Sequence, residues 1–149
     1  MVNSLNGKHR VLFLCTGNSA RSQMGEAFLR HYAGDQFEVH SAGLEPKGIN
    51  PYTVRVMDEI GIDIRGQHSK DTRPYMGRVF FHYVITVCSS ADKSCPQALW
   101  AQGGKKLHWP FDDPAAIEGT DEEKLAKFRE VRDQIGAKVQ QWIAEREAV

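Results

Sequence analysis

No run of consecutive apolar residues in this chain exceeds five, at Val11–Cys15. A bilayer-spanning helix needs about 20. The N-terminal MVNSLNGKHR carries positive charges but no apolar stretch of secretory length follows them. A cytoplasmic protein without a membrane association is expected. Excess charge is absent too, since 19 Lys and Arg balance 19 Asp and Glu. No global field therefore steers nucleic acid or an anionic membrane to it. Cysteine is scarce, with three in 149 residues. An odd number in a reducing compartment argues against a disulfide framework and for a working thiol. No C-x2-C or H-x3-H pair exists, and the spacing of Cys88 and Cys95 is poor for zinc. Repeats, low-complexity segments and interior linkers are also missing. A chain this long buries about two-thirds of its unfolded surface without covalent staples. One domain over residues 1–149 is expected, as a monomer.

What is present alternates regularly. Val11-Leu12-Phe13-Leu14 is a continuous apolar run, as in a parallel strand buried on both faces. Met24, Ala27, Phe28 and Tyr32 then recur at helical spacing until Gly34-Asp35. Phe37 to His40 alternates as a second strand, and Pro51 opens a second helix with Val54, Met57 and Ile60 on one face. Tyr83 to Val87 is the strongest strand signal, and Leu107 to Trp109 is a fourth, shorter one. Thr120-Asp121-Glu122-Glu123 has the form of a capping box. The helix behind it carries Leu125, Phe128, Val131, Ile135, Val139 and Trp142 on one stripe. The expected fold is α/β: three layers, with a four-stranded parallel sheet flanked by helices.

In open α/β sheets, ligands bind beyond the carboxyl ends of the strands. Cys15 and Cys88 each follow a strand directly, and Asp112 and Asp113 follow another. The loop Thr16-Gly17-Asn18-Ser19-Ala20-Arg21 runs straight into a helix. A helix N-terminus offers unpaired amides and partial positive charge. Gly17 and Asn18 tolerate the left-handed backbone of a tight anion cradle. Arg21 adds a planar fork for two oxygens of a tetrahedral oxyanion. The same field favours a thiolate on Cys15, to which Ser22 could donate a hydrogen bond. Strand, glycine loop, arginine and helix together read as an oxyanion cradle with Cys15 as nucleophile.

Cys88 and Cys95 are seven residues apart. If helical, their Cα atoms would stand about 10 Å apart. A disulfide needs roughly 4.4–6.8 Å. A bond between them requires the segment to unwind, which makes the pair a candidate redox switch. Asp92, Ser94 and Pro96 suit a turn that melts easily.

The stretch CTGNSARSQM resembles the phosphate-binding loop of the low-molecular-weight protein tyrosine phosphatase superfamily. It is closer still to that of the thioredoxin-coupled arsenate reductases. The resemblance extends through HSAGLEP, INPYTVRVMDEIGIDI, VITVCSSADKSCP and HWPFDDPA, reaching from Val11 to about Gln134. It implies a low-molecular-weight phosphatase-like fold and a relay of three thiols. Cys15 attacks arsenate held by the loop amides and Arg21. Asp113, the acid before Pro114, protonates the leaving oxygen. Cys88 attacks Cys15 and arsenite leaves. Cys95 then takes over the disulfide, and thioredoxin reduces Cys88–Cys95. Phosphate and sulfate compete for the loop. No tightly bound cofactor is implied, but some members bind potassium beside the loop. The matching positions here are Asn18, Glu26, Ser41 and Asp71, the last through one extra residue before His68.

The chain departs from the family in places. Ala20 stands where some members carry a further cysteine. Two other readings share the scaffold. A tyrosine phosphatase would use Cys15, Arg21 and Asp113. Against it stand Gln23, where phosphatases have proline, and Ala115, where they place an aromatic residue. A non-enzymatic oxyanion or redox sensor would bind without turnover.

Overall fold

The computed structural model describes residues 7–75, 78–88 and 104–147. Strand β1 (His9–Cys15) leads into helix α1 (Arg21–Ala33) and strand β2 (Phe37–Gly43). Helix α2 (Pro51–Asp58), strands β3 (Tyr83–Thr86) and β4 (Lys105–His108), and the long helix α3 (Asp121–Glu147) follow. The sheet order is β2-β1-β3-β4, and all three pairings are parallel. The chain goes to one side of β1 for β2 and to the other for β3. Such a reversal opens a crevice at the carboxyl end of the central strand. Cys15 is the last residue of that strand.

Alternation along β1 sorts its side chains onto two faces. Val11, Phe13 and Cys15 join the larger core with α1, α2 and α3, whereas Leu12 and Leu14 join a smaller one with Ala42, Phe81 and Val84. Tyr75 and Val79 pack against the smaller core. The predicted stripe on α3 is buried throughout, from Leu125 to Trp142. Its capping box closes as expected: Thr120 N–H donates to Glu123 Oε1 (2.8 Å) and Glu123 N–H to Thr120 Oγ1 (3.2 Å). Among the described residues, no helix is long and apolar enough to cross a membrane.

Two helical faces differ from expectation. Tyr32 is 43% exposed, and Leu29 and Ala33 are buried in its stead. In α2 the buried residues are Thr53, Val56 and Met57. Ile60 lies beyond the end of that helix, in a turn, and is exposed.

Candidate active site

The loop from Thr16 to Ala20 is held from outside by its carbonyl groups. Thr16 O accepts from Glu45 N–H (2.9 Å), Gly17 O from Lys47 N–H (3.0 Å) and Ser19 O from Asn50 N–H (3.0 Å). Asn18 O accepts from Ser69 Oγ (2.8 Å) and Gln23 Nε2 (3.1 Å). A trans peptide points its N–H opposite its C=O. The amides of Gly17 to Ala20 are therefore turned away from that outer ring, to the side of the cleft. Helix α1 begins without a side-chain cap, because Ala20 cannot supply one, and its first turn carries no acid. Its N-terminal amides and dipole remain for an anion.

The cleft in front of the loop has a volume of about 480 Å³. Cys15, Thr16, Gly17, Ser19, Ala20 and Arg21 line it, with Lys47, Asn50, Asp113 and Ala115 on the opposite walls. Arg21 is nearly buried, and its Nη1 donates to Phe111 O (3.0 Å). Its Nη2 stands 3.8 Å from Asp113 Oδ2. The two adjacent acids are sorted by local structure. Asp113 caps a single 3-10 turn at Pro114–Ala116, its Oδ1 accepting from Ala115 N–H, and faces the cleft. Asp112 pairs with Lys127 (3.1 Å) instead.

Asn18, not Gly17, takes the left-handed conformation, at φ 48°. Gly17 needs no positive φ. The Asn18 side chain is wholly buried and lies behind the loop. Its Nδ2 donates to Ser22 Oγ (2.8 Å) and Ser41 Oγ (2.9 Å). Its Oδ1 accepts from Gln23 Nε2 (3.0 Å) and Lys70 N–H (2.7 Å). All four capacities of the amide are used, which fixes its orientation. With Ser22 Oγ accepting from Asn18, its proton is free for Cys15 Sγ, 2.9 Å away.

Cys15 ends β1, and Cys88 lies two residues past the end of the neighbouring β3. Leu14 pairs with Thr86 across β1 and β3, and Val87 N–H donates to Leu14 O. Cys88 follows at once. Strict alternation would place it on the opposite face from Cys15. The strand ends at Thr86, however, and Cys88 enters the same core as Cys15. Both are buried. Cys95, and with it the segment from Ser89 to Pro96, lies outside the described residues. Of the expected potassium ligands, Asn18, Ser41 and Glu26 form one chain, Ser41 Oγ donating to Glu26 Oε1 (2.5 Å). The Asp71 carboxylate pairs with Arg73 (2.9 Å).

Sequence reasoning gave no role to Gln23, Lys47, Ser69 or Lys70. Gln23 is completely buried and ties Asn18 to His68 O (3.0 Å). A polar residue beside the apolar positions of α1 was the available signal for it. Gly43 was missed as well. A Cβ there would stand 2.6 Å from Thr16 O, 2.8 Å from Cys15 O and 2.9 Å from Asn18 N. All three are backbone atoms, so the loop itself would have to move. Gly43→Ala should destabilise the fold by about 1–3 kcal/mol, the usual range for overpacking. It should also weaken phosphate binding. Denaturant unfolding and phosphate titration would check both.

A family profile described as Low molecular weight phosphotyrosine protein phosphatase matches residues 10–148. The arsenate reductase of Halalkalibacterium halodurans is 48% identical over 132 residues, which cover 89% of this chain and 93% of that protein. Among solved structures, an arsenate reductase in the phosphate binding state is similar with a TM-score of 0.75 and 32% identity, covering 92% of this chain and 98% of that one. A thioredoxin-dependent arsenate reductase of Corynebacterium glutamicum is similar with a TM-score of 0.68 and 28% identity, covering 98% of this chain and 66% of that one. The chain thus belongs to the low molecular weight phosphotyrosine protein phosphatase family, and within it groups with the arsenate reductases.

Proposed function

We propose that this protein reduces arsenate to arsenite through a relay of Cys15, Cys88 and Cys95, and that thioredoxin regenerates it. The observation that carries the reading is the second buried thiol. Cys88 enters the same core as Cys15 from the neighbouring strand end, and phosphoryl transfer alone gives it no task.

Arsenate enters the cleft and its oxygens take the loop amides and the Arg21 guanidinium. Cys15 Sγ attacks arsenic, with Ser22 Oγ as its hydrogen-bond partner. An oxygen leaves as water, Asp113 supplying the proton. The Cys88 thiolate then attacks Cys15 Sγ. The S–S bond forms, the S–As bond breaks, and its electron pair stays on arsenic, which departs as arsenite. Cys95 attacks Cys88, freeing the Cys15 thiolate and forming Cys88–Cys95. A thioredoxin dithiol takes over that disulfide by the same exchange. Two thiols become one disulfide per arsenate, which balances the two electrons. Phosphate fits the loop but is not reduced, so it competes.

The deciding assay couples NADPH oxidation to arsenate through thioredoxin and thioredoxin reductase, with an aryl phosphate run beside it. Arsenate-dependent NADPH loss that vanishes in Cys88→Ser is the expected result. Phosphate release without NADPH loss would make the protein a phosphatase. Asp113→Asn keeps the cap on Ala115 N–H but carries no acidic proton. It should lower kcat by about 10²–10⁴-fold, the usual contribution of a general acid. Arsenate KM should change little. An unchanged kcat would remove Asp113 from the chemistry.

A further inference from the structure

Behind the oxyanion loop sits a buried carboxylate. Glu26 is 5% exposed, on the inward side of α1. Its Oε1 accepts from Ser41 Oγ (2.5 Å) and stands 3.6 Å from Lys70 Nζ. Its Oε2 accepts from Arg30 Nη2 (2.5 Å). The Lys70 side chain is only 17% exposed, and its ammonium also donates to His68 O (2.7 Å). Lys70 therefore connects to the loop by two routes, one direct and one through other side chains. Its backbone N–H donates to Asn18 Oδ1, and its ammonium reaches Glu26, which holds Ser41, which holds Asn18. The four residues close a ring behind the one left-handed residue of the loop. From Asn18 the ring continues through Ser22 to Cys15 Sγ.

A buried carboxylate needs a cation close by. The family resemblance would bring potassium to Asn18, Glu26, Ser41 and Asp71. The donor set does not fit it. Glu26 already has two cationic partners, the Arg30 guanidinium on Oε2 (2.5 Å) and the Lys70 ammonium 3.6 Å from Oε1, and the Asp71 carboxylate pairs with Arg73. We propose that Lys70 is a positioning residue whose ammonium, with the Arg30 guanidinium on the other Glu26 oxygen, does the work of an alkali cation behind the oxyanion loop, so that the loop needs none to hold its shape. The inference rests on reading residues 15–21 as an oxyanion cradle.

The test is phosphate affinity measured by calorimetry, which does not depend on turnover. At fixed ionic strength, the wild type should bind phosphate equally in potassium and sodium chloride. Lys70→Ala keeps the backbone N–H to Asn18 and removes only the side chain. It should lose about tenfold or more in phosphate affinity, the usual cost of removing a supporting partner. Ammonium or potassium chloride should restore most of that loss, and sodium chloride should not. Lys70→Met fills the space without the charge and should bind as weakly as Lys70→Ala, without rescue. Wild-type affinity in Lys70→Ala or Lys70→Met would overturn the proposal. So would tighter binding by the wild type in potassium than in sodium, a result that needs no variant to fold. If the wild type bound no phosphate at all, the cradle reading would fall and the proposal with it. Binding that depends on potassium would remove the proposal alone.

Discussion

Cys15→Ser should abolish arsenate reduction and leave phosphate binding almost intact. The hydroxyl replaces the sulfur at the end of β1 with little change in volume, and Ser22 remains its neighbour. The carbonyl contacts that shape the loop come from Glu45, Lys47, Asn50 and Ser69. None involves the sulfur. Arg21 is held by Phe111 O, again independently of residue 15. The anion site should therefore survive. The chemistry should not. A serine hydroxyl is a far weaker nucleophile than a thiolate, and it has no counterpart to the disulfide. Even an arsenate ester formed on it could not be resolved by Cys88 with transfer of electrons to arsenic. A fall of at least about 10⁴-fold in turnover is expected, in line with removal of a nucleophile elsewhere. The coupled NADPH assay reads the rate and calorimetry reads the binding. Measurable reduction by the serine protein would mean that another thiol attacks arsenic. Loss of phosphate binding as well would mean that the sulfur helps to hold the anion.

Much of this site was legible because it is local in sequence. The run Val11–Leu14 set Cys15 at a strand end, and Ser22 follows the loop by one helical residue. The α3 stripe and its capping box obey a single period, so they were readable without tertiary context. Tyr32 and Ile60 show where the period fails. Tyr32 lies off the face that Leu29 and Ala33 bury, and Ile60 lies in the turn past the end of α2; spacing alone reveals neither. The αL position was narrowed to Gly17 and Asn18. The choice of Asn18 depends on Ser22, Ser41, Gln23 and Lys70 all meeting its amide. Ser41 and Lys70 lie 23 and 52 residues away. No short-range pattern encodes such a meeting. Nothing in the sequence sets Lys70 apart, and only the fold shows it against Glu26. Asp112 and Asp113 likewise became distinct through the 3-10 turn that Asp113 caps and through Lys127.

Cys95→Ala should release one arsenite per chain and then stop. The reason lies in where the first disulfide of the proposed relay would form. Cys15 is 3% exposed and Cys88 is fully buried, in the core under α1 and α3. Thiol–disulfide exchange requires the attacking sulfur to reach the disulfide directly. A protein reductant cannot bring its own cysteine into that core without opening it. The proposed relay gives that task to Cys95, which is only seven residues from Cys88 in the sequence. Without Cys95, a Cys15–Cys88 bond should accumulate as a dead end after a stoichiometric burst. Rapid quench would count the arsenite, and mass spectrometry would find the chain lighter by two thiol hydrogens and bridged between those two residues. In Cys88→Ser no burst should appear, since nothing displaces arsenic from Cys15. Adding thioredoxin should not restart the Cys95→Ala protein, whereas a small dithiol that enters the 480 Å³ cleft should do so slowly. Repeated turnovers driven by thioredoxin in Cys95→Ala would overturn the last intramolecular step. They would show that the partner reaches Cys88 directly and that the core opens far enough to admit it.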